Sequence, residues 1–286
     1  MKLIATDLDG TLLNSKNEIS DENLTAIKEA QSKGIQIVIA TGRAHYDVQA
    51  IIERDGLSNV WIVGANGATI HDPYGKQRHS VPMKKDTIID VLDWLEGQHF
   101  YYEIFTNKAI YTPNNGRELL KIEIDRLKSS HPETNTKDLI KATEKQYSQM
   151  GFAFIPSYKE IINKDDIEIY NILAFSFDHE KLNEGKERFS RRPEFSLVVS
   201  ANHNFEIEDN QASKGLALER IANELQIPIE QTMAIGDSFN DLSMIERAGM
   251  GVAMGNARDE IKISSDRVTL DNNENGVAYI IREILK

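Results

Sequence analysis

The chain has no cysteine among its 286 residues, which excludes disulfide bonds, thiolate nucleophiles and zinc sites built on thiolates. It also lacks any run of about 18 uncharged apolar residues, so no membrane-spanning helix is predicted. Asp7 lies so near the N-terminus that the apolar region of a signal peptide cannot form there. We therefore expect a soluble, cytosolic protein.

Positive charge is scarce relative to negative charge. The chain has 33 lysines and arginines against 45 acids, a formal net charge of −12. Nucleic-acid binding needs clustered basic side chains to displace counterions, and anionic membranes attract the same side chains. The seven histidines show no metal-ligand spacing. We expect no nucleic-acid partner, no membrane partner and no histidine-based metal site.

Both ends of the chain alternate short apolar runs with helical patterns. Such runs are typical of strands buried on both faces of a parallel sheet, and their alternation with helices implies right-handed crossovers. The predicted strands lie at 3–6, 35–40, 60–63, 233–236 and 251–254, and helical patterns at 20–33, around 48–52, at 214–225, at 242–248 and up to 286. The expected fold class is α/β, with a doubly wound parallel sheet.

The middle of the chain has a different pattern. Between Met83 and Glu208, apolar and polar residues alternate more often and aromatic residues are more frequent. Apolar runs lie at 100–105 and 169–175, with helical patterns at 86–95, 117–127 and 137–147. This mixture favours an antiparallel sheet with helices on one face. We expect a discontinuous core over residues 1–83 and 209–286, and an inserted α+β domain over residues 84–208.

Several predicted core strands end in polar residues. In chain order these are Asp7 and Asp9, then Thr41 and Gly42, then Asp237, Asn240 and Asp241. Ligands of open parallel sheets bind in the crevice at the carboxyl ends of the strands. Several carboxylates meeting there would repel one another unless a cation lay among them. Because the set offers oxygen ligands and lacks a cysteine or histidine cluster, it favours Mg²⁺.

These strand ends resemble the four motifs of the haloacid dehalogenase (HAD) superfamily. The motifs are Asp7-Leu8-Asp9-Gly10-Thr11, Ala40-Thr41-Gly42-Arg43, Lys214-Gly215 and Gly236-Asp237-Ser238-Phe239-Asn240-Asp241. The insert between the second and third motifs resembles, in position and size, the large C2-type cap of the Cof-type phosphatases. The resemblance implies a Rossmann-like HAD core, a cap that determines specificity, and hydrolysis of small phosphorylated metabolites such as sugar phosphates.

The resemblance also implies catalytic and metal-binding roles. Asp7 is expected to be the nucleophile that forms an aspartyl-phosphate. Asp9 is expected to protonate the leaving alcohol and then to deprotonate water. Mg²⁺ is expected to be bound by Asp7, by the backbone carbonyl of Asp9, by Asp237 and, directly or through water, by Asp241.

Phosphate-binding residues follow from the same resemblance. They are expected to be Leu8, Thr41, Gly42, Lys214 and Asn240. Thr41 and Gly42 are expected to hold phosphate oxygens at a helix N-terminus, where N–H groups point outward. Lys214 is expected to neutralise charge on both the nucleophile and the phosphoryl group. Together these contacts would stabilise the charge on the equatorial oxygens.

Arg43 and His45 follow the second motif closely, but we interpret both as structural rather than substrate-binding residues. Two alternative functions remain open. A phosphosugar mutase on the same scaffold would return phosphate to the substrate, and would isomerise a bisphosphorylated sugar. A non-enzymatic module would accept phosphate on Asp7 and hold it. Asp9 argues against that module, because it would speed hydrolysis of the phosphoryl group. Asp9 also argues against a haloacid dehalogenase, because cleavage of a carbon–halogen bond does not need this acid.

Overall fold

A computed structural model of the protein describes residues 1–130, 133, 135–147, 149–199 and 201–286. The chain divides into two compact units. The first unit comprises Met1–Val81 and Gln211–Lys286, and the second comprises Pro82–Asn210. Within the described part of the chain, none of the helices has the length and apolar character needed to cross a bilayer.

The first unit begins with strands and crossover helices, followed by two short antiparallel strands. The elements are β1 Leu3–Thr6, α1 Asp21–Ser32, β2 Gln36–Ala40, α2 His45–Arg54, β3 Trp61–Gly64, β4 Thr69–His71 and β5 Gln77–Ser80. Helix α1 begins after Ser20, whose hydroxyl accepts a hydrogen bond from the Asn23 amide and caps the helix. The sequence pattern does not predict β5, because this partly exposed strand has no apolar run.

The second unit has a six-stranded sheet in the order β10-β11-β9-β6-β7-β8. Its elements are α3 Lys85–Gly97, β6 Tyr101–Thr106, β7 Ile110–Pro113, α4 Gly116–Ser130, α5 Thr136–Gln146, β8 Phe152–Ile155, β9 Ile169–Phe175, α6 His179–Ser190, β10 Phe195–Val198 and β11 Asn204–Asp209. Its pairs are antiparallel except for β7 and β8, which are parallel. The predicted antiparallel sheet is thus found with one parallel pair.

The chain then returns to the first unit. The remaining elements are α7 Lys214–Glu224, β12 Thr232–Gly236, α8 Leu242–Arg247, β13 Met250–Ala253, α9 Asp259–Ile263, β14 Arg267–Val268 and α10 Gly276–Leu285. The strands of the first unit form one sheet in the order β14-β13-β12-β1-β2-β3-β4-β5. All pairs from β14 to β3 are parallel, which confirms the predicted α/β fold.

Strand β1 lies at the centre of this sheet, between β12 and β2. Its last residue, Thr6, pairs with Ile235 on one side and Ile39 on the other. Apolar side chains cover both faces: Ile4 belongs to the core on one face and Ala5 to the core on the other. Because β1, β2 and β12 are adjacent and parallel, the loops that follow them leave the sheet at the same edge.

Candidate active site

A buried ion-pair network lies where β1 and β12 end. Lys214 Nζ donates to Asp7 Oδ1 at 2.7 Å and to Asp241 Oδ1 at 2.6 Å. The lysine side chain is 0% exposed although it is the first residue of α7, a position where lysines are usually solvated. Burial lowers the pKa of Lys214, but the carboxylates of Asp241 and Asp7 outweigh burial, so the net shift is upward and the side chain stays charged.

Three carboxylates meet at this point. Asp7, Asp237 and Asp241 each offer an oxygen, and these oxygens lie within 4.8 Å of one another. Burial and the nearby charge of Asp241 raise the pKa of Asp7 well above its usual value, although Lys214 acts against them. Burial and Asp241 also raise the pKa of Asp237 to about 6. The cluster therefore has more negative charge than Lys214 balances.

Asp241 organises the loop around it. While Oδ1 accepts from Lys214, Oδ2 accepts from the backbone amides of Asp237 at 2.9 Å and Ser238 at 3.0 Å. Gly236 permits this approach, because a Cβ on that residue would lie 2.4 Å from Cβ of Asp241. Both oxygens of Asp241 are thus held by protein donors. Asp241 thus closes the turn after β12 onto the turn's own backbone amides.

Asp237 is held from the first motif. Thr11 Oγ1 donates to Asp237 Oδ1 at 3.0 Å, and Ser238 Oγ donates to Oδ2 at 3.3 Å. Leu8, in the same motif, is fully buried in the apolar core, and its carbonyl accepts from the Leu13 amide at 2.9 Å. Any phosphate contact by Leu8 must therefore come from its backbone N–H. The first motif thus joins the carboxylate cluster to the core of the sheet.

Asp9 does not join the carboxylate cluster but forms an ion pair with Arg43. Nε of Arg43 donates to Asp9 Oδ2 at 2.7 Å, and Nη2 donates to Oδ1 at 2.8 Å. A third bond runs from Nη1 to Oδ2 of Asp47, a residue that is 2% exposed. The sequence interpretation of Arg43 as a merely structural residue missed this contact. The spacing of Arg43 and Asp47, four residues apart, is the sequence signal from which the contact with Asp47 could have been found.

Thr41 and Gly42 lie in the loop between β2 and α2. Helix α2 begins at His45, so these two residues lie just before the helix, and their contact with phosphate oxygens stays a prediction. Thr41 is 1% exposed, and its hydroxyl oxygen accepts from the Arg43 amide at 3.2 Å. Asn240 Nδ2 donates to Asn66 Oδ1 at 3.1 Å. Asn66 is a residue that the four motifs do not include.

Comparison with known proteins bears on the identity of this site. The family model of the haloacid dehalogenase-like hydrolases matches residues 4–281. Phosphatase YwpJ of Bacillus subtilis is 53% identical over 286 residues, with 100% of both chains covered. The B. subtilis 5-amino-6-(5-phospho-D-ribitylamino)uracil phosphatase YwtE is 41% identical over 285 residues, covering 100% of this chain and 98% of the relative.

A solved structure supports the same assignment. A haloacid dehalogenase-like hydrolase from B. subtilis superposes with a TM-score of 0.87 at 53% identity, covering 99% of this chain and 100% of the other. The matches extend over both units, and they confirm the family resemblance that the four motifs carry. The chain therefore belongs to the haloacid dehalogenase-like hydrolases, and within that family it is a phosphatase.

Proposed function

We propose that this phosphatase uses Mg²⁺ and hydrolyses small phosphorylated metabolites through an aspartyl-phosphate on Asp7. The observation that carries the proposal is the fully buried Lys214 between the carboxylates of Asp7 and Asp241, with Asp237 beside them. Three carboxylates and one lysine leave excess negative charge in a buried place. A divalent cation together with a phosphate ester would balance that arrangement.

The donor set fits a hard divalent ion. All three side chains offer oxygen. Burial, and after it repulsion from Asp241, raises the pKa values of Asp7 and Asp237, and a bound cation would offset both effects. Asp7, Asp237 and the backbone carbonyl of Asp9 would hold Mg²⁺. Asp241, which also offers an oxygen to the cluster, would bind the ion directly or through water. When bound, the ion would offset charge on the nucleophile and on the phosphate oxygens.

In the first half of the proposed reaction, an oxygen of Asp7 attacks phosphorus in line. A bond forms between that oxygen and phosphorus, and the bond from phosphorus to the leaving oxygen breaks. Protonated Asp9 gives its proton to the leaving oxygen, so an alcohol departs. For this step an oxygen of Asp9 must exchange its contact with Arg43 for one with the leaving group. Lys214 keeps its charge throughout and stabilises the phosphoryl oxygens.

In the second half, Asp9 acts as a base. Its carboxylate takes a proton from water while the water oxygen attacks phosphorus, and the bond between phosphorus and Asp7 breaks. Inorganic phosphate leaves, and Asp7 returns as a carboxylate. Thr41, Gly42 and Asn240 hold the phosphoryl oxygens in both halves, so the same contacts stabilise both transition states.

The substrate is proposed from chemistry and from relatives. YwtE is named for a phosphorylated ribitylaminouracil, a small phosphomonoester with a polyol chain. We extend that substrate class, and not that compound, to this chain. The second unit, Pro82–Asn210, is proposed to determine which leaving group is accepted, as the resemblance to a C2-type cap implies.

The first test is phosphate release from an aryl phosphate, with and without Mg²⁺. Asp7→Asn is expected to reduce the Mg²⁺-dependent rate by at least about 10³-fold, because an amide oxygen is a poor nucleophile. Asp259→Asn, an exposed aspartate on α9, is the matched control and is expected to keep the wild-type rate. Release that is undiminished in Asp7→Asn would show the proposed mechanism to be wrong.

A second set of assays separates the alternatives. Sugar phosphates and the phosphorylated ribitylaminouracil are tested in a substrate panel, and acid-quenched protein is examined by mass spectrometry for a phosphoryl group on Asp7. A bisphosphorylated sugar that is isomerised rather than hydrolysed would favour a mutase. A phosphoryl group that persists for hours would favour a phospho-acceptor module. Rapid turnover of the phosphoryl group would support hydrolysis.

A further inference from the structure

The loop after β3 contains three consecutive residues in the left-handed region of backbone conformation. Ala65, Asn66 and Gly67 have φ angles of 46°, 52° and 110°, and all three are buried. This region is unfavourable for alanine, and two consecutive residues other than glycine rarely adopt it. Such a backbone persists when the contacts around it stabilise it, and strained segments of this kind cluster at functional sites. We name this segment the 65–67 turn.

Asn66 joins the loops that follow two different strands. Its backbone N–H donates to the Thr41 carbonyl at 2.9 Å, and its Oδ1 accepts from Asn240 Nδ2 at 3.1 Å. The same Oδ1 lies close to Gly42, where a Cβ would be 3.0 Å away. The side chain of Asn66 is 2% exposed, so these contacts are shielded from water. Thr41, Gly42 and Asn240 are three of the proposed phosphate-binding residues.

The 65–67 turn also contacts the loop before Lys214. A Cβ on Gly67 would lie 2.2 Å from the carbonyl oxygen of Ser213, and the φ of 110° would strain any other residue. Ser213 caps α7, in which Lys214 is the first residue. Glycine at position 67 thus permits the backbone of the turn to pack directly on the backbone of that cap.

We propose that Asn66 is a positioning residue of the phosphate site, acting through Asn240. This inference rests on the proposed function. Asn66 Oδ1 accepts a hydrogen bond from one N–H of the Asn240 side chain, so the Nδ2 end of that amide is held next to Asn66. The second N–H on the same nitrogen is then left to donate to a phosphate oxygen. Without this acceptor the Asn240 amide is free to rotate, and its oxygen would then face the phosphate and repel it.

The test compares inorganic phosphate binding, measured by titration calorimetry with Mg²⁺ present, in matched variants. Asn66→Gly removes the side chain while glycine keeps a φ of 52° without strain. Asn59→Gly is the control, since Asn59 is exposed and has a φ of 56° in a loop of the same unit. Asn240→Ala and the double variant Asn66→Gly/Asn240→Ala show whether Asn66 acts through Asn240.

We expect Asn66→Gly and Asn240→Ala each to weaken phosphate binding about tenfold, as loss of one hydrogen bond to an anion implies. The double variant is expected to bind no more weakly than Asn240→Ala alone, and Asn59→Gly is expected to bind as wild type does. The proposal would be overturned if the double variant bound phosphate about a hundredfold more weakly than wild type, because the two losses would then be additive. It would also be overturned if Asn66→Gly bound phosphate as wild type does, or if Asn59→Gly lost as much affinity as Asn66→Gly.

A second variant keeps the inference testable if Asn66→Gly does not fold. Asn66→Asp retains an oxygen acceptor for Asn240 and a residue that tolerates the left-handed region, but places a negative charge beside the phosphate site. Because the acceptor is kept, Asn240 stays positioned in this variant, so adding Asn240→Ala to Asn66→Asp is expected to weaken phosphate binding by about a further tenfold. No further loss in that double variant would overturn the proposal. Phosphate binding that follows these expectations without any ester hydrolysis would overturn the proposed function and leave the role of Asn66 standing.

Discussion

Arg43 and Asp9 are joined by two parallel hydrogen bonds of 2.7 and 2.8 Å between a guanidinium and a carboxylate. Asp9 is the proposed acid and base of the reaction, so a permanent positive charge lies against the group whose protonation must change. The guanidinium is itself held by Asp47, which is buried. Burial lowers the pKa of Arg43, but its bonds to Asp9 and Asp47 raise it above its usual value, so the cation persists.

Arg43→Met is expected to act on stability and on catalysis. Removing the cation that faces buried Asp47 is expected to lower the free energy of unfolding by about 3 kcal/mol, measured by urea denaturation at pH 7. The rate of phosphate release is also expected to fall, because two hydrogen bonds from Arg43 hold the proposed acid and base, Asp9. Arg54→Met is the control, since Arg54, the last residue of α2, is half-exposed in its ion pair with Asp55. The free energy of unfolding of Arg54→Met is expected to fall by less than about 1 kcal/mol. Equal losses in the two variants would contradict this account.

Asp237→Asn is expected to stabilise the metal-free protein at neutral pH. The pKa of Asp237 is raised to about 6, so the folded protein binds its proton more tightly than the unfolded chain does, and stability is lost as pH rises from about 4 through 6. An amide has no such dependence. The variant is expected to gain about 1–2 kcal/mol at pH 7.5 and little at pH 4.

Thermal unfolding with and without Mg²⁺ completes that test. Wild type is expected to gain stability on adding Mg²⁺ at pH 7.5, and Asp237→Asn is expected to lose most of that gain because a proposed ligand is missing. Glu246→Gln, an exposed acid on α8, is the control and should respond to Mg²⁺ as wild type does. An undiminished Mg²⁺ response in Asp237→Asn would remove Asp237 from the metal site.

The sequence predicts the sheet of the first unit well because its signal is local. Each core strand is an apolar run that stops at a polar residue, and adjacency of parallel strands then brings Asp7 and Asp237 to the same edge. Strand β5 escaped prediction because it lies at the edge of the sheet, where no continuous apolar run is needed, and β4 escaped it because it has only three residues. The parallel pairing of β7 and β8 escaped it too, since pairing direction depends on how the chain returns and not on composition.

The parts of the site that the sequence does not predict depend on side-chain direction and backbone conformation. Arg43 follows the second motif, but nothing in the motif tells that its guanidinium turns toward Asp9. Asn66 lies in a strand-end loop whose left-handed backbone is not encoded by any glycine at positions 65 or 66. Its contact with Asn240 joins residues 174 positions apart, and it becomes visible only in three dimensions.

Glu103→Gln is expected to flatten the pH dependence of stability in the second unit. Glu103 is fully buried on β6, and burial raises its pKa to about 7 although Tyr101 and Gln146 donate to Oε1 at 2.5 and 2.9 Å. A raised pKa means that stability is lost as pH rises through about 7. Between pH 6 and 8.5, the free energy of unfolding measured by urea denaturation is expected to fall by about 1 kcal/mol less in Glu103→Gln than in wild type. Glu118→Gln, an exposed acid on α4, serves as control, and a loss equal to wild type in Glu103→Gln would disprove the assignment.

His71→Phe is expected to protect the first unit against acid. The rings of His71 and His45 are stacked with centroids 3.9 Å apart, and burial together with His45 lowers the pKa of His71 to about 4. The unfolded chain therefore binds this proton first, so stability is present above about pH 6.5 and is lost as pH falls toward 4. Phenylalanine keeps an aromatic ring against His45 but does not titrate.

The measurement is the free energy of unfolding of wild type and His71→Phe at pH 7 and pH 4.5. Between pH 7 and pH 4.5, the free energy of unfolding is expected to fall by about 2 kcal/mol less in His71→Phe than in wild type. The reason is that the variant lacks the His71 pKa difference between folded and unfolded chains, and each pKa unit corresponds to about 1.36 kcal/mol. His179→Phe replaces an exposed histidine at the start of α6 and should lose as much stability as wild type. If His71→Phe and wild type lose equal stability, the stacked pair is not what makes this unit sensitive to acid, and the carboxylates that are protonated over the same range must account for it.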